Sequence, residues 1–118
     1  MSNLVLGSPI GTHLLINAYD VPPRLLEYAD QVLPLLDNIV NMLNLHVVSQ
    51  SGYQFQPVGY THAYVLSESH FTIHTYPEHC SCYIDIFCCN PEFSPTQAIQ
   101  LIQIYFLTSN IRYQVIQR

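Results

Sequence analysis

The chain has 118 residues, 49% of them hydrophobic and only 9% charged, which is material for one domain with one core; soluble domains carry roughly 25% charge, so part of this surface is expected to lie against another copy of the chain. Lysine is absent, the basic residues are Arg24, Arg112 and Arg118, and the net charge is −5, a balance that argues against nucleic-acid binding and suits a cationic small substrate. No apolar run approaches the ~20 residues that cross a membrane, and residues 1–7 lack the basic stretch of a signal peptide, so the expected location is the cytoplasm.

Residues 11–19 alternate and predict a strand. Pro22 and Pro23 then open a helix, and Leu25, Ala29, Val32, Leu33, Leu36, Ile39, Val40 and Leu43 keep helical spacing to about residue 44. Pro34 falls inside that run and is expected to kink or split it. Residues 45–55 predict a second strand, rich in Val, Tyr and Phe, and Pro57 and Gly59 predict a turn. Two more strands follow at 60–67 and 71–76, joined at Glu68, Ser69 and His70, and another at 82–89. Ser94 before Pro95 is an N-cap signal for a helix to about residue 108, and 111–116 closes the chain as a strand. This order (strand, helix, four strands, helix, strand) with short turns predicts an α+β two-layer sandwich over residues 1–118. It has an antiparallel sheet with two helices on one face, leaving the other face to solvent or a partner.

The chemistry concentrates in Leu66-Ser67-Glu68-Ser69-His70-Phe71-Thr72-Ile73-His74-Thr75-Tyr76-Pro77-Glu78. These thirteen residues hold two carboxylates, two histidines and five hydroxyl side chains. The Ser69 hydroxyl can attack the carbonyl of Glu68 and move the acyl group from nitrogen to oxygen. If a base then removes the Cα proton of Ser69, the ester leaves, and hydrolysis of the resulting dehydroalanine yields a pyruvoyl group at position 69. Such a group forms a Schiff base with a substrate amine and accepts electrons during decarboxylation. His74 supplies an imidazole that titrates near neutrality, and Glu78 can accept two hydrogen bonds from a diol. Equally, Ser67-Glu68-Ser69 reads as a polar turn, His74 as an ordinary strand histidine and Glu78 as an exposed carboxylate.

The four cysteines, Cys80, Cys82, Cys88 and Cys89, cluster near His74 and His79. Structural zinc usually takes C-x₂₋₄-C pairs. Here the spacings are Cys-x-Cys and Cys-Cys, so no metal is expected, and three of the four read as small buried hydrophobes.

The motif from Leu66 to Glu78, continued through Tyr83-Ile84-Asp85-Ile86-Phe87-Cys88-Cys89, resembles the prokaryotic S-adenosylmethionine decarboxylase proenzyme family. The resemblance implies self-cleavage between Glu68 and Ser69 into residues 1–68 and 69–118, with a pyruvoyl group from Ser69. It further implies His74 and the Thr61 hydroxyl in processing, Cys89 as proton donor, Phe55 stacking on adenine and Glu78 on the ribose hydroxyls. The implied reaction is decarboxylation of S-adenosylmethionine for spermidine synthesis. The implied assembly is a homodimer whose sheets stack into four αββα layers, with active sites at the interface. Departures from the family pattern are Thr61 for serine, Tyr76 for tryptophan and Asn90 for glycine. Arg24 and Arg112 are the candidate partners for a substrate carboxylate. Phe55 and Cys89 are expected on neighbouring strands around the motif. The alternatives are a relative acting on arginine or ornithine and a non-catalytic nucleoside-binding homologue.

Overall fold

A computed structural model describes residues 8–118; residues 1–7, on which the signal-peptide reading falls, lie outside the described residues. Eight elements follow in chain order: β1 (Thr12–Tyr19), α1 (Ala29–Met42), β2 (Val47–Gln54), β3 (Tyr60–Leu66), β4 (His70–Tyr76), β5 (Ser81–Cys88), α2 (Pro95–Tyr105) and β6 (Asn110–Gln117). The strands form one sheet in the order β2-β3-β4-β5-β1-β6, every pair antiparallel.

Alternation of side chains along each strand builds the two faces. Leu14, Ile16 and Ala18 of β1, Phe71 and Ile73 of β4, and Ile84 and Ile86 of β5 point one way and are buried. Val32, Leu36 and Ile39 of α1 and Ala98 and Ile102 of α2 cover them, at the i, i+3/i+4 spacing of an apolar helix stripe. Both helices thus lie on one face, as the sequence predicts. On the other face no element of the described chain covers the sheet. Val65, Tyr76, Tyr83 and Ile116 stand exposed there, together with His74.

The predicted long first helix is divided, but not at Pro34. A short 3₁₀ turn (Pro23–Leu25) precedes it, and α1 begins at Ala29 after extended Tyr28. Pro34 sits inside an unbroken α1. The division is set from across the sheet. Gln54 Oε1 accepts from the Ala29 N–H at 2.7 Å, and Gln54 Nε2 donates to the carbonyls of Glu27 and Gly59, each at 2.9 Å. One β2 side chain therefore satisfies groups that a local N-cap would otherwise serve. The second helix follows its sequence signal: Ser94 Oγ accepts from the Gln97 N–H at 3.1 Å, with Pro95 in the first turn.

Thr75 joins the same region to the core. Its buried hydroxyl donates to the Leu26 carbonyl at 2.7 Å and accepts from the Tyr60 N–H at 2.8 Å. Thr75→Val keeps the shape and leaves both partners unpaired. Urea unfolding is expected to show a loss of about 1–3 kcal/mol.

Candidate active site

Strands β3 and β4 are joined by a tight turn in which the Leu66 N–H donates to the Ser69 carbonyl at 2.9 Å. The Ser67 N–H reaches back to the His46 carbonyl at 3.2 Å. Because β5 pairs with β4, with His70 opposite Phe87, the residue just beyond the end of β5 arrives beside this turn. That residue is Cys89. Its N–H donates to Ser69 Oγ at 3.1 Å, and its thiol lies 3.4 Å from the Glu68 carbonyl oxygen. One residue thus touches both the hydroxyl oxygen and the carbonyl it would attack. The N–H fixes the hydroxyl, and the thiol favours negative charge developing on the carbonyl oxygen. A cavity of about 320 Å³ opens here, walled by residues 44–46, the turn and residues 88–91.

A second constellation occupies the other end of β3 and β4. Thr61 and His74 are opposite one another across the two strands, and Thr61 Oγ1 lies 3.1 Å from His74 Nδ1. Phe55, just past β2, and Glu78, in the 3₁₀ turn Pro77–His79, line one cavity of about 480 Å³ with Thr61, His74 and Tyr76. Gly59 forms part of the wall with φ +113°, a conformation open to glycine and strained for other residues. The Tyr53 ring sets an edge against Phe55 at 4.9 Å between centroids.

One protomer does not bring these two constellations together. His74 is only five residues from Ser69 in sequence, but β4 is extended, so those five residues span about 16 Å at roughly 3.3 Å each. Phe55 and Cys89 also do not lie on neighbouring strands. Phe55 follows β2 at the sheet edge, and β3 and β4 separate it from β5. A run of predicted strands does not fix their lateral order, and here β2 pairs only with β3. Arg24 is exposed in the first 3₁₀ turn, and Arg112 lies on β6 beside a recess lined by Leu15, Asn17, Tyr113 and Gln114. Neither lines the cavity at Ser69 or the one at Phe55.

Sequence reasoning passed over a polar cluster on the open sheet face. His13 Nε2 is 2.5 Å and His70 Nε2 is 3.2 Å from the same oxygen, Asp85 Oδ1. Arg118 Nη1 lies 3.1 Å from His13 Nδ1. The three donor atoms fall within 4.8 Å of one another, as in some metal sites. The contacts nevertheless describe hydrogen bonds. A guanidinium only donates, so His13 Nδ1 accepts from Arg118 and carries its own proton on Nε2, toward Asp85. The detectable signal was the outward strand position of Asp85 in an otherwise apolar Tyr83–Cys88 stretch; its partners lie on other strands.

The cysteines divide by burial. Cys82 and Cys88 face the core, and desolvation pushes the Cys82 thiol up to about 12. Cys80, at a left-handed position with φ 50°, and Cys89 are half-buried. Two of the four are therefore buried hydrophobes, where three were expected. Burial also lowers the pKa of His62, which sits under β2 between Tyr60 and Gln50, away from both constellations.

Residues 12–118 match the family model described as S-adenosylmethionine decarboxylase. The chain belongs to the S-adenosylmethionine decarboxylase family. It is 34% identical over 97 residues to the S-adenosylmethionine decarboxylase proenzyme of Hydrogenobaculum sp., covering 82% of this chain and 72% of that one. It is 32% identical to the corresponding proenzyme of Aquifex aeolicus, covering 96% of this chain and 84% of the relative. The crystal structure of the Aquifex aeolicus adenosylmethionine decarboxylase superposes with a TM-score of 0.86 at 30% identity, covering 95% of this chain and 92% of that one.

Within this member of the decarboxylase family, burial predicts the thiol reactivities. On brief iodoacetamide treatment of the folded protein, peptide mass mapping is expected to show alkylation at Cys80 and Cys89. Cys82 and Cys88 should react only after unfolding.

Proposed function

We propose that the chain is an autoprocessing, pyruvoyl-dependent decarboxylase that converts S-adenosylmethionine to its decarboxylated form and carbon dioxide, the aminopropyl donor for spermidine synthesis. The double contact of Cys89 with Ser69 Oγ and the Glu68 carbonyl oxygen carries this reading. The bland alternative, an ordinary polar turn, gives no reason for a thiol and an N–H from β5 to converge on those two atoms.

Cleavage divides the chain into residues 1–68 and 69–118. Ser69 Oγ adds to the Glu68 carbonyl carbon while the Cys89 thiol donates toward its oxygen; the hydroxyl proton passes to the Ser69 nitrogen, and the C–N bond breaks to leave an ester and a free amine. Removal of the Ser69 Cα proton expels the Glu68 carboxylate. The enamine left at position 69 hydrolyses, releasing ammonia. The pyruvoyl carbonyl so formed supplies an electrophile for the substrate amine and a sink for electrons as carbon dioxide leaves. Cys89 stays within reach of position 69 and returns a proton to the substrate carbon. The half-buried cavity around Ser69 fits such a group, because Cys89 and the turn already surround the atoms from which it is made.

Substrate recognition falls to the second constellation. Its 480 Å³ cavity is of a size for a nucleoside. Phe55, 48% exposed, offers a ring face for adenine, and Glu78 offers a carboxylate for the ribose hydroxyls. A ring face beside a diol acceptor suits an adenine and a ribose, which arginine and ornithine lack. A net charge of −5 favours the cationic sulfonium. The four free thiols favour a reducing compartment such as the cytoplasm.

The roughly 16 Å of extended strand between Ser69 and His74 is bridged by a homodimer. When the open faces of two sheets stack, Thr61, His74, Phe55 and Glu78 of one protomer meet Ser69 and Cys89 of its partner. This arrangement uses the uncovered apolar side chains Val65, Tyr76 and Tyr83 and yields four αββα layers. Among the described residues, His46 is the one histidine lining the Ser69 cavity, and it is the alternative, same-protomer base.

Ser69→Ala is expected to remain one uncut chain, and His74→Ala to stall as a hydroxylamine-sensitive ester. Co-expressed, the two variants should restore partial cleavage, because each mixed dimer holds one intact site. A lack of complementation, with His46→Ala stalling in place of His74→Ala, would move the base into the same protomer. Phe55→Ala is expected to raise KM about tenfold, since stacking on a base contributes about 1–3 kcal/mol; steady-state carbon dioxide release measures it.

A further inference from the structure

The carbonyl of residue 69 lies one residue outside β4. In the uncut chain its oxygen is held by the Leu66 N–H, the bond that closes the β3–β4 turn. Cleavage between Glu68 and Ser69, on which this inference rests, opens that turn. Residue 69 then becomes a chain end, and chain ends fray unless something ties them down. The first residue still inside the sheet is His70, between Val65 of β3 and Phe87 of β5.

The His70 side chain is tied down from two other strands. Asp85 Oδ1 accepts from its Nε2 at 3.2 Å, and the same oxygen accepts from His13 Nε2 at 2.5 Å. Asp85 lies two residues from Phe87 on β5, the diagonal position on the same face as His70. His13 lies on β1, opposite Phe87. Arg118 fixes the proton of His13 on the nitrogen that faces Asp85. The Phe87 ring fills the space between them, 5.7 Å from His13, 6.1 Å from His70 and 5.1 Å below the Arg118 guanidinium. The cluster thus links the first residue of β4 to the neighbouring strands β5 and β1 and to Arg118 beyond β6.

We propose that Asp85, backed by His13, is a positioning residue for the decarboxylation step: through the His70 imidazole it holds the residue-69 carbonyls in line with Cys89 after the chain has been cut. Before cleavage the closed turn does this alone. The cluster therefore matters more for turnover than for self-cleavage. The reason lies in the site's own chemistry. A pyruvoyl group at position 69 would supply the electron sink, and the Cys89 thiol must stay within reach of the substrate carbon bound to it.

The test compares wild type, Asp85→Ala and Asp85→Asn. Intact mass reports cleavage, phenylhydrazine titration reports the carbonyl at position 69, and hydrogen exchange reports the amides of residues 70–72. Asp85→Ala is expected to cleave and carry the carbonyl like wild type, and to exchange faster at residues 70–72 in the cleaved form. The same substitution in an uncleaved Ser69→Ala background should leave exchange unchanged. The kcat of cleaved Asp85→Ala should fall about 10- to 100-fold, the range that misplacement of reacting groups costs. Asp85→Asn keeps an acceptor oxygen and should recover most of that loss. If Asp85→Ala does not accumulate, His13→Asn removes only the outer support and should show the same exchange after cleavage. Wild-type exchange and kcat in a fully cleaved Asp85→Ala or His13→Asn protein would overturn this role while leaving the processing reading intact. A wild-type chain that never cleaves would overturn both.

Discussion

Strand β4 is hydrogen-bonded on both sides, to β3 and to β5, and its two-residue alternation governs the rest of the molecule. Phe71, Ile73 and Thr75 point into the layer of helices; His70, Thr72, His74 and Tyr76 point out. A slip of one residue would exchange the core with the chemistry. Flanking pairs fix the register: Ile73 faces Ile84 and His62, and His74 faces Tyr83 and Thr61. The hydrophobic packing that stabilises the fold therefore also sets the direction of every functional side chain on this strand.

The same extended geometry divides the chemistry into two halves. A helix would have wound Ser69 and His74 to within about one turn of each other. A strand holds them apart and leaves the imidazole on an uncovered face. The exposed Val65, Tyr76, Tyr83 and Ile116 belong to that face. Among the described residues, no element is left to cover it. The proposed pairing of two sheets would meet both problems, burying the apolar side chains and joining the two constellations.

If the chain is cut between Glu68 and Ser69 as proposed, what matters is which contacts survive. The Leu66–Ser69 turn depends on an intact backbone, whereas the Asp85–His70 and Asp85–His13 contacts run between strands and do not. The contacts of Cys89 are of both kinds. Its thiol faces the carbonyl of Glu68, which would end the first fragment, and its N–H faces Ser69, which would begin the second.

The sequence by itself determined the order and kind of the elements and the cluster of reactive groups. Alternation in 11–19 and 82–89, the Ser94–Pro95 start of α2 and the intact motif around Ser69 are local signals, set by neighbours along the chain. The start of α1 was not legible, because Gln54 of β2 caps it from across the sheet. Nor was the lateral order of strands, which separates Phe55 from Cys89. The partnership of His13, Asp85 and Arg118 joins residues far apart in sequence and leaves no periodic trace. Only the tertiary structure decided that Cys89 meets Ser69 while His74 does not. That outcome follows from antiparallel pairing, which brings the far end of β5 to the start of β4 and carries everything later on β4 away from it.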